Sequence, residues 1–204
     1  MASKRTKKKG GADKEDKETD RSETASMAAS SMMGSDMDGD NRRIFCDYWD
    51  NRKSGAIYRG EMTDGSKRPD GKGIKVFNKT SIYEGYWQDG KCQGLGRGIN
   101  KNGEVYQGMF NNDAMDGEGF YYWPDGRIFE GTFIEGKKQG KGKWRSTRAM
   151  QSCNTYEGDY HQDKKHGKGV FTWASGNIYK GDYHEDERHG SGQMLWTDGS
   201  MYEG

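Results

Sequence analysis

Tyr156-Glu157-Gly158-Asp159-Tyr160, then Gly167-Lys168-Gly169-Val170-Phe171-Thr172-Trp173, then Ser175-Gly176, and again Tyr179-Lys180-Gly181-Asp182-Tyr183: this stretch decides the fold. Side chains on a strand alternate between two faces, so Tyr156, Gly158 and Tyr160 share one. The second segment puts Gly167, Gly169, Phe171 and Trp173 on one face by the same rule. Glycines leave slots, and rings from a neighbouring strand fill them. Two such strands with turn residues between them make a hairpin, and Ser175-Gly176 turns the chain into the next one.

Aromatic-x-Gly recurs along the chain at Tyr58, Tyr83, Tyr106, Phe129, Tyr156, Tyr179 and Tyr202, at spacings of 25, 23, 23, 27, 23 and 23. A fixed unit with occasional loop insertions gives that pattern. Each unit also carries Gly-x-Gly, at 71/73, 94/96, 117/119, 140/142, 167/169 and 190/192. Asp89-Gly90-Lys91 and Glu135-Gly136-Lys137 are hairpin turns; Pro124-Asp125-Gly126 and Asp198-Gly199 lead into the next unit. The expected fold is all-β: an elongated single-layer antiparallel meander of hairpins, over residues 58–204. Arg97-Gly98-Ile99-Asn100 departs from the pattern, and a weak second strand is expected there. Phe45 to Trp49, followed by Ser54 to Tyr58, reads as a lone second strand and an N-terminal cap over residues 44–57, shielding an open edge.

Composition agrees with one thin layer. The apolar fraction is 30%, charged residues make up 32%, and Tyr 12, Phe 7 and Trp 6 stand beside 32 glycines. Net charge is +1, so no global field steers nucleic acid, and no nucleic-acid partner is expected. Cys46, Cys92 and Cys153 lack CxxC spacing and read as reduced thiols of a cytoplasmic protein. No apolar run approaches the ~20 residues of a bilayer span.

Residues 1–43 contain no aromatic. A basic cluster (Lys4, Arg5, Lys7, Lys8, Lys9), a mixed acidic run and a Ser/Met/Gly stretch follow one another. Such a segment buries too little to offset its ordering entropy, so a disordered charged tail is expected. Removing the tail's 10 basic and 9 acidic residues leaves the repeat region charge-balanced.

These repeats resemble the MORN (membrane occupation and recognition nexus) family, whose unit is close to Tyr-Glu-Gly-x-Trp, a turn, then Gly-x-Gly. Tyr83-Glu84-Gly85-Tyr86-Trp87 and Tyr156-Glu157-Gly158-Asp159-Tyr160 carry the likeness. Six full repeats and the start of a seventh are covered. The resemblance implies a positioning array. Family members include ciliary radial-spoke-like proteins, protist basal-complex scaffolds, junctophilin-like membrane tethers, plant phosphatidylinositol-phosphate kinases and a histone methyltransferase.

His161, His166, His184 and His189 are two repeat positions used twice, 23 residues apart. A turn role is the first reading and metal or catalysis the second. Gly-x-Gly lacks the Gly-Lys-Ser/Thr or GxGxxG context of a phosphate loop. No catalytic residue, cofactor or metal is therefore expected. Glu84, Glu130 and Glu157 read as partners of cross-strand lysines such as Lys141 and Lys168. The segment from Arg145 to Asn154 is an enlarged turn: a docking loop, or a tolerated insertion.

Two binding surfaces are expected. The ringed face should stay exposed as an apolar strip of Trp87, Phe110, Tyr121, Trp123, Phe133, Trp173, Tyr183 and Trp196, suited to protein partners or self-association. The hairpin-turn edge, with Lys91, Lys137, Lys138, Lys164, Lys165 and Arg188, would meet anionic lipid. Three functions compete: a protein-binding scaffold at cytoskeleton or cilium, a phosphoinositide or anionic-membrane adaptor, and the N-terminal targeting part of a longer enzyme such as a phosphatidylinositol-phosphate kinase.

Overall fold

The computed structural model describes residues 42–51, 55–147 and 153–204. The expected tail lies outside the described residues except at Arg42 and Arg43, as does the middle of the enlarged turn. Arg43 corrects the tail boundary: it opens the first strand, and its Nε donates to Asp70 Oδ1 at 2.6 Å.

Among the described residues, fourteen strands follow in chain order: β1 (Arg43–Asn51), β2 (Ala56–Thr63), β3 (Pro69–Phe77), β4 (Ser81–Gln88), β5 (Lys91–Ile99), β6 (Val105–Asn111), β7 (Ala114–Tyr122), β8 (Ile128–Ile134), β9 (Lys137–Arg145), β10 (Thr155–His161), β11 (Lys164–Thr172), β12 (Ile178–His184), β13 (Glu187–Leu195) and β14 (Met201–Glu203). They form one antiparallel sheet in strict sequence order, so the expected meander is what forms. β1 pairs with β2 and covers its edge. β5 is a full nine-residue strand, correcting the weakness expected at Arg97 to Asn100. Gly98 replaces a large side chain there, and the Phe110 ring occupies the space: a Cβ on Gly98 would meet its tip at 3.6 Å.

Hairpin turns obey the geometry of strand twist. Gln162 (φ 50°) and Asp163 (φ 72°) both have positive φ, as a two-residue type I′ connection requires. Asp89-Gly90 and Glu135-Gly136 do the same. At the opposite edge, Gly126 N–H donates to Trp123 O and Gly176 N–H to Trp173 O, closing the turns between repeats.

One glycine per strand lies in register from β2 to β13. Gly60 faces Gly73, Gly73 faces Gly85, and the row continues through Gly96, Gly108, Gly119, Gly131, Gly142, Gly158, Gly169 and Gly181 to Gly192. This spine exists because a ring lies on it. A Cβ on Gly158 would sit 2.6 Å from the Tyr156 hydroxyl and 2.5 Å from the Gly169 Cα; one on Gly169 would sit 2.5–2.6 Å from the Tyr156 ring.

Within each hairpin, just beyond the glycine pair, the register slips by two residues. Gly158 faces Gly169, but Tyr160 faces Lys165. The slip is a bulge, and Gly167 occupies it at φ 63°. A Cβ there would meet Asp159 at 3.2 Å, on the side away from the rings. This corrects the expectation that Gly167 shares a face with Gly169: the first glycine of Gly-x-Gly serves the bulge and the second serves the slot. The tyrosine hydroxyl donates to the carbonyl three residues on, beside the bulge: Tyr83 to Tyr86 (2.9 Å), Tyr106 to Met109 (2.9 Å) and Tyr156 to Asp159 (3.0 Å).

A single layer thereby obtains a core on its inner, ringed face. Opening and second aromatics alternate in an unbroken zigzag of edge-to-face contacts, Tyr58–Trp87–Tyr83–Phe110–Tyr106–Phe133–Phe129–Tyr160–Tyr156–Tyr183–Tyr179, with centroids 4.8–5.7 Å apart. Each such pair contributes about 0.5–1.5 kcal/mol beyond area burial. Met62 fills the second-aromatic place in repeat one.

Candidate partner-binding faces

The inner face is more closed than its sequence suggests. Trp87 (3% exposed), Phe110 (8%), Phe133 (1%) and Tyr183 (5%) are core, which corrects the exposure expected of them. The reason is the zigzag: each second ring is wedged between two opening rings. Tyr121, Trp123 and Trp173 are half-buried, and of the eight only Trp196 is exposed. Cations fold over the half-buried rings. Arg127 lies 5.0 Å and Lys138 Nζ 5.3 Å from the Trp123 centroid, and Arg188 lies 4.9 Å from that of Trp173. Burial raises the hydroxyl pKa of Tyr58, Tyr83, Tyr106, Tyr156 and Tyr160 well above the ordinary 10, and that of Tyr183 to about 12.

The hairpin-turn edge is laced from one repeat to the next. Lys91 Nζ donates to Asn112 (3.3 Å), Lys137 to Gln162 (2.6 Å) and Lys164 to Glu185 (2.9 Å), each reaching the following turn. Asp113, Asp163 and Asp186 return the contact, accepting from the backbone N–H of Cys92, Lys138 and Lys165 at 2.8–3.0 Å. Lys138 and Lys165 turn inward over the rings, and desolvation lowers the Lys138 pKa. The six basic residues are thus brought to one edge, but two lysines and Arg188 cover aromatic surface.

The outer face carries two rows flanking the glycine spine. In repeats four to six these rows are charged and self-paired: Lys141–Asp159 (2.7 Å), Lys143–Glu157 (3.2 Å) and Lys168–Asp182 (2.6 Å). Register thus assigns Lys141 and Lys168 to aspartates, correcting the glutamates expected; Glu157 stands opposite Lys143. A groove of about 860 Å³ follows the spine here, lined by residues such as Glu130, Lys141, Glu157 and Lys180. Across β3–β7 apolar side chains enter the same rows, alternating there with Lys72, Glu84, Arg97, Gln107 and Glu118. Ile74, Leu95, Met109 and Phe120 are 38–44% exposed, and Tyr86 and Tyr122 stand beside them. Sequence reasoning missed this patch. Its four members are spread over three repeat positions, and only the register brings them together.

His161, His166, His184 and His189 form a row with centroids 5.0–5.6 Å apart. No group of three or more His, Cys, Asp or Glu converges on a metal position among the described residues.

The MORN repeat family model matches five times, at residues 83–97, 106–126, 129–147, 156–178 and 179–201. The chain is a MORN-repeat protein. Each match opens on the aromatic that roofs the spine, one or two residues into the first strand of a hairpin, so family unit and structural hairpin coincide. The hairpin β2–β3 lies before the first match, yet its Tyr58, Gly60 and Gly73 repeat the MORN geometry. No curated protein matches the chain. Among the described residues, no helix is long and apolar enough to cross a membrane.

Proposed function

We propose that this MORN array is a non-catalytic scaffold that holds protein partners on the apolar half of its outer face. The observation that supports it is that exposed Ile74, Leu95, Met109 and Phe120 lie beside the spine within five consecutive strands, β3 to β7. Apolar patches of this kind on folded proteins mark interaction sites. The resemblance adds a cytoplasmic setting at cytoskeleton or cilium.

Anionic lipid is the second reading, favoured by the file of Lys91, Lys137 and Lys164 along one edge. The two separate in one comparison. Leu95→Asp with Met109→Asp should abolish capture of the partner while leaving vesicle sedimentation unchanged. Lys91, Lys137 and Lys164 replaced by Gln should do the reverse if lipid is the ligand, with binding falling steeply as salt rises. Partner capture that survives Leu95→Asp/Met109→Asp refutes the scaffold reading.

A further inference from the structure

We propose that the partner on this apolar face is a second copy of the chain, packed face to face about a twofold axis that runs parallel to β5. The proposal deepens the scaffold reading and rests on it.

Rotation about such an axis places each strand over the one equally far from β5 on the other side, and keeps position along the strand. β3 then lies over β7, β4 over β6 and β2 over β8. On the hairpin-turn side of the spine, Lys72 meets Glu118, Tyr86 meets Met109, and Leu95 meets its own copy. On the other side, Arg59 meets Glu130 and Ile74 meets Phe120. Register fixes these matches, because every residue named sits beside its strand's spine glycine. The axis gives one like-charge meeting, Arg97 on Arg97, and Glu84 stands opposite Arg97 within each sheet to offset it.

Charge state supports a partner of this kind. Lys72 and Glu118 have no ion pair within the chain among the described residues, whereas Lys141, Lys143 and Lys168 in the second half are paired internally with Asp159, Glu157 and Asp182. Packed sheets sit ~10 Å apart, room for one interdigitated layer of these side chains. Strands at ~4.8 Å make β2–β8 roughly 30 Å wide. With the two flanking rows and a third beyond them, Val76, Ile82, Ile99, Val105 and Tyr122, the face approaches the ~800 Å² per partner of a stable interface.

The test is sedimentation velocity on the full chain from low to high micromolar concentration. The parent should pass from monomer to dimer. Lys72→Glu and Glu118→Lys should each weaken dimerisation about tenfold or more, and Lys72→Glu/Glu118→Lys in one chain should restore it. Leu95→Asp should abolish it, while Lys168→Ser on the charged half should leave it unchanged. These positions are exposed, so melting curves should match the parent and separate lost association from lost fold. A parent that stays monomeric, or a charge swap that fails to restore the dimer, overturns the proposal. If Leu95→Asp/Met109→Asp still abolishes capture of a different protein by that monomer, the scaffold reading stands and only self-association falls.

Discussion

Repeats one to three and repeats four to six share one interior and differ on the outside. On the inner face both halves lay an aromatic ring along a glycine pair and wedge a second ring against it: Tyr83 with Phe110 in one, Tyr156 with Tyr183 in the other. On the outer face the first half shows Ile74, Leu95, Met109 and Phe120, where the second shows Lys141, Asp159, Lys168 and Asp182. The spine separates the two faces completely. Folding is specified on one side of the sheet, so the other side is free to vary with little cost to stability.

The spine is where that equivalence is most easily broken. Gly85→Val and Gly158→Val each drive a side chain into a tyrosine hydroxyl and an opposing backbone, and each should cost roughly 3 kcal/mol through overpacking. Equal losses by chemical denaturation support a common interior. A loss confined to one half would mean the two cores are built differently.

Alkali tests the same equivalence. The buried tyrosines have pKa values raised by desolvation, so the folded state keeps protons that the unfolded state releases above pH 10. Their contribution is fully present below pH 10 and is lost as pH rises through the folded values. Stability should be flat from neutral pH to about 10 and then fall, with tyrosinate absorbance appearing together with loss of strand signal. Ionisation of these rings in a still-folded array would refute the burial.

Outside, effects should be small on stability and large on association. Leu95→Lys should shift unfolding by less than about 0.5 kcal/mol, as exposed sites do, while reducing binding of a hydrophobic dye. The smallest effect belongs to the charged half. A double-mutant cycle on Lys141 and Asp159 should give about 0.3 kcal/mol at low salt and less at high salt. A coupling above about 1 kcal/mol would show that this pair helps define the fold.

How much of this the sequence discloses follows the same division. The ring-over-glycine slot is legible, because Tyr156, Gly158 and Tyr160 obey simple alternation. The bulge is not: its two-residue slip puts Gly167 out of phase with Gly169, and no periodicity announces it. Burial of Trp87 and Phe133 is equally hidden, since alternation assigns a face and leaves open whether rings on that face cover one another. The apolar outer patch is hidden for a third reason. Ile74 and Phe120 flank the spine on one side, Leu95 and Met109 on the other, so no single repeat position carries the signal.

The strict order of strands has a mechanical consequence. Every strand bonds only to its predecessor and successor in the chain, so a load applied through the two ends of the array reaches one strand pair at a time. Hydrogen bonds loaded in that way open successively, as in a zip. Each 23-residue unit would release roughly 70 Å of slack, at ~3.4 Å per residue less the ~10 Å it spanned when folded. Force spectroscopy should register a low, repeating series of such steps; a single abrupt rupture of the whole sheet would contradict it. Stretched end to end, the array would be a compliant extension spring. Pushed against its broad faces, with every strand bearing at once, it would be stiff.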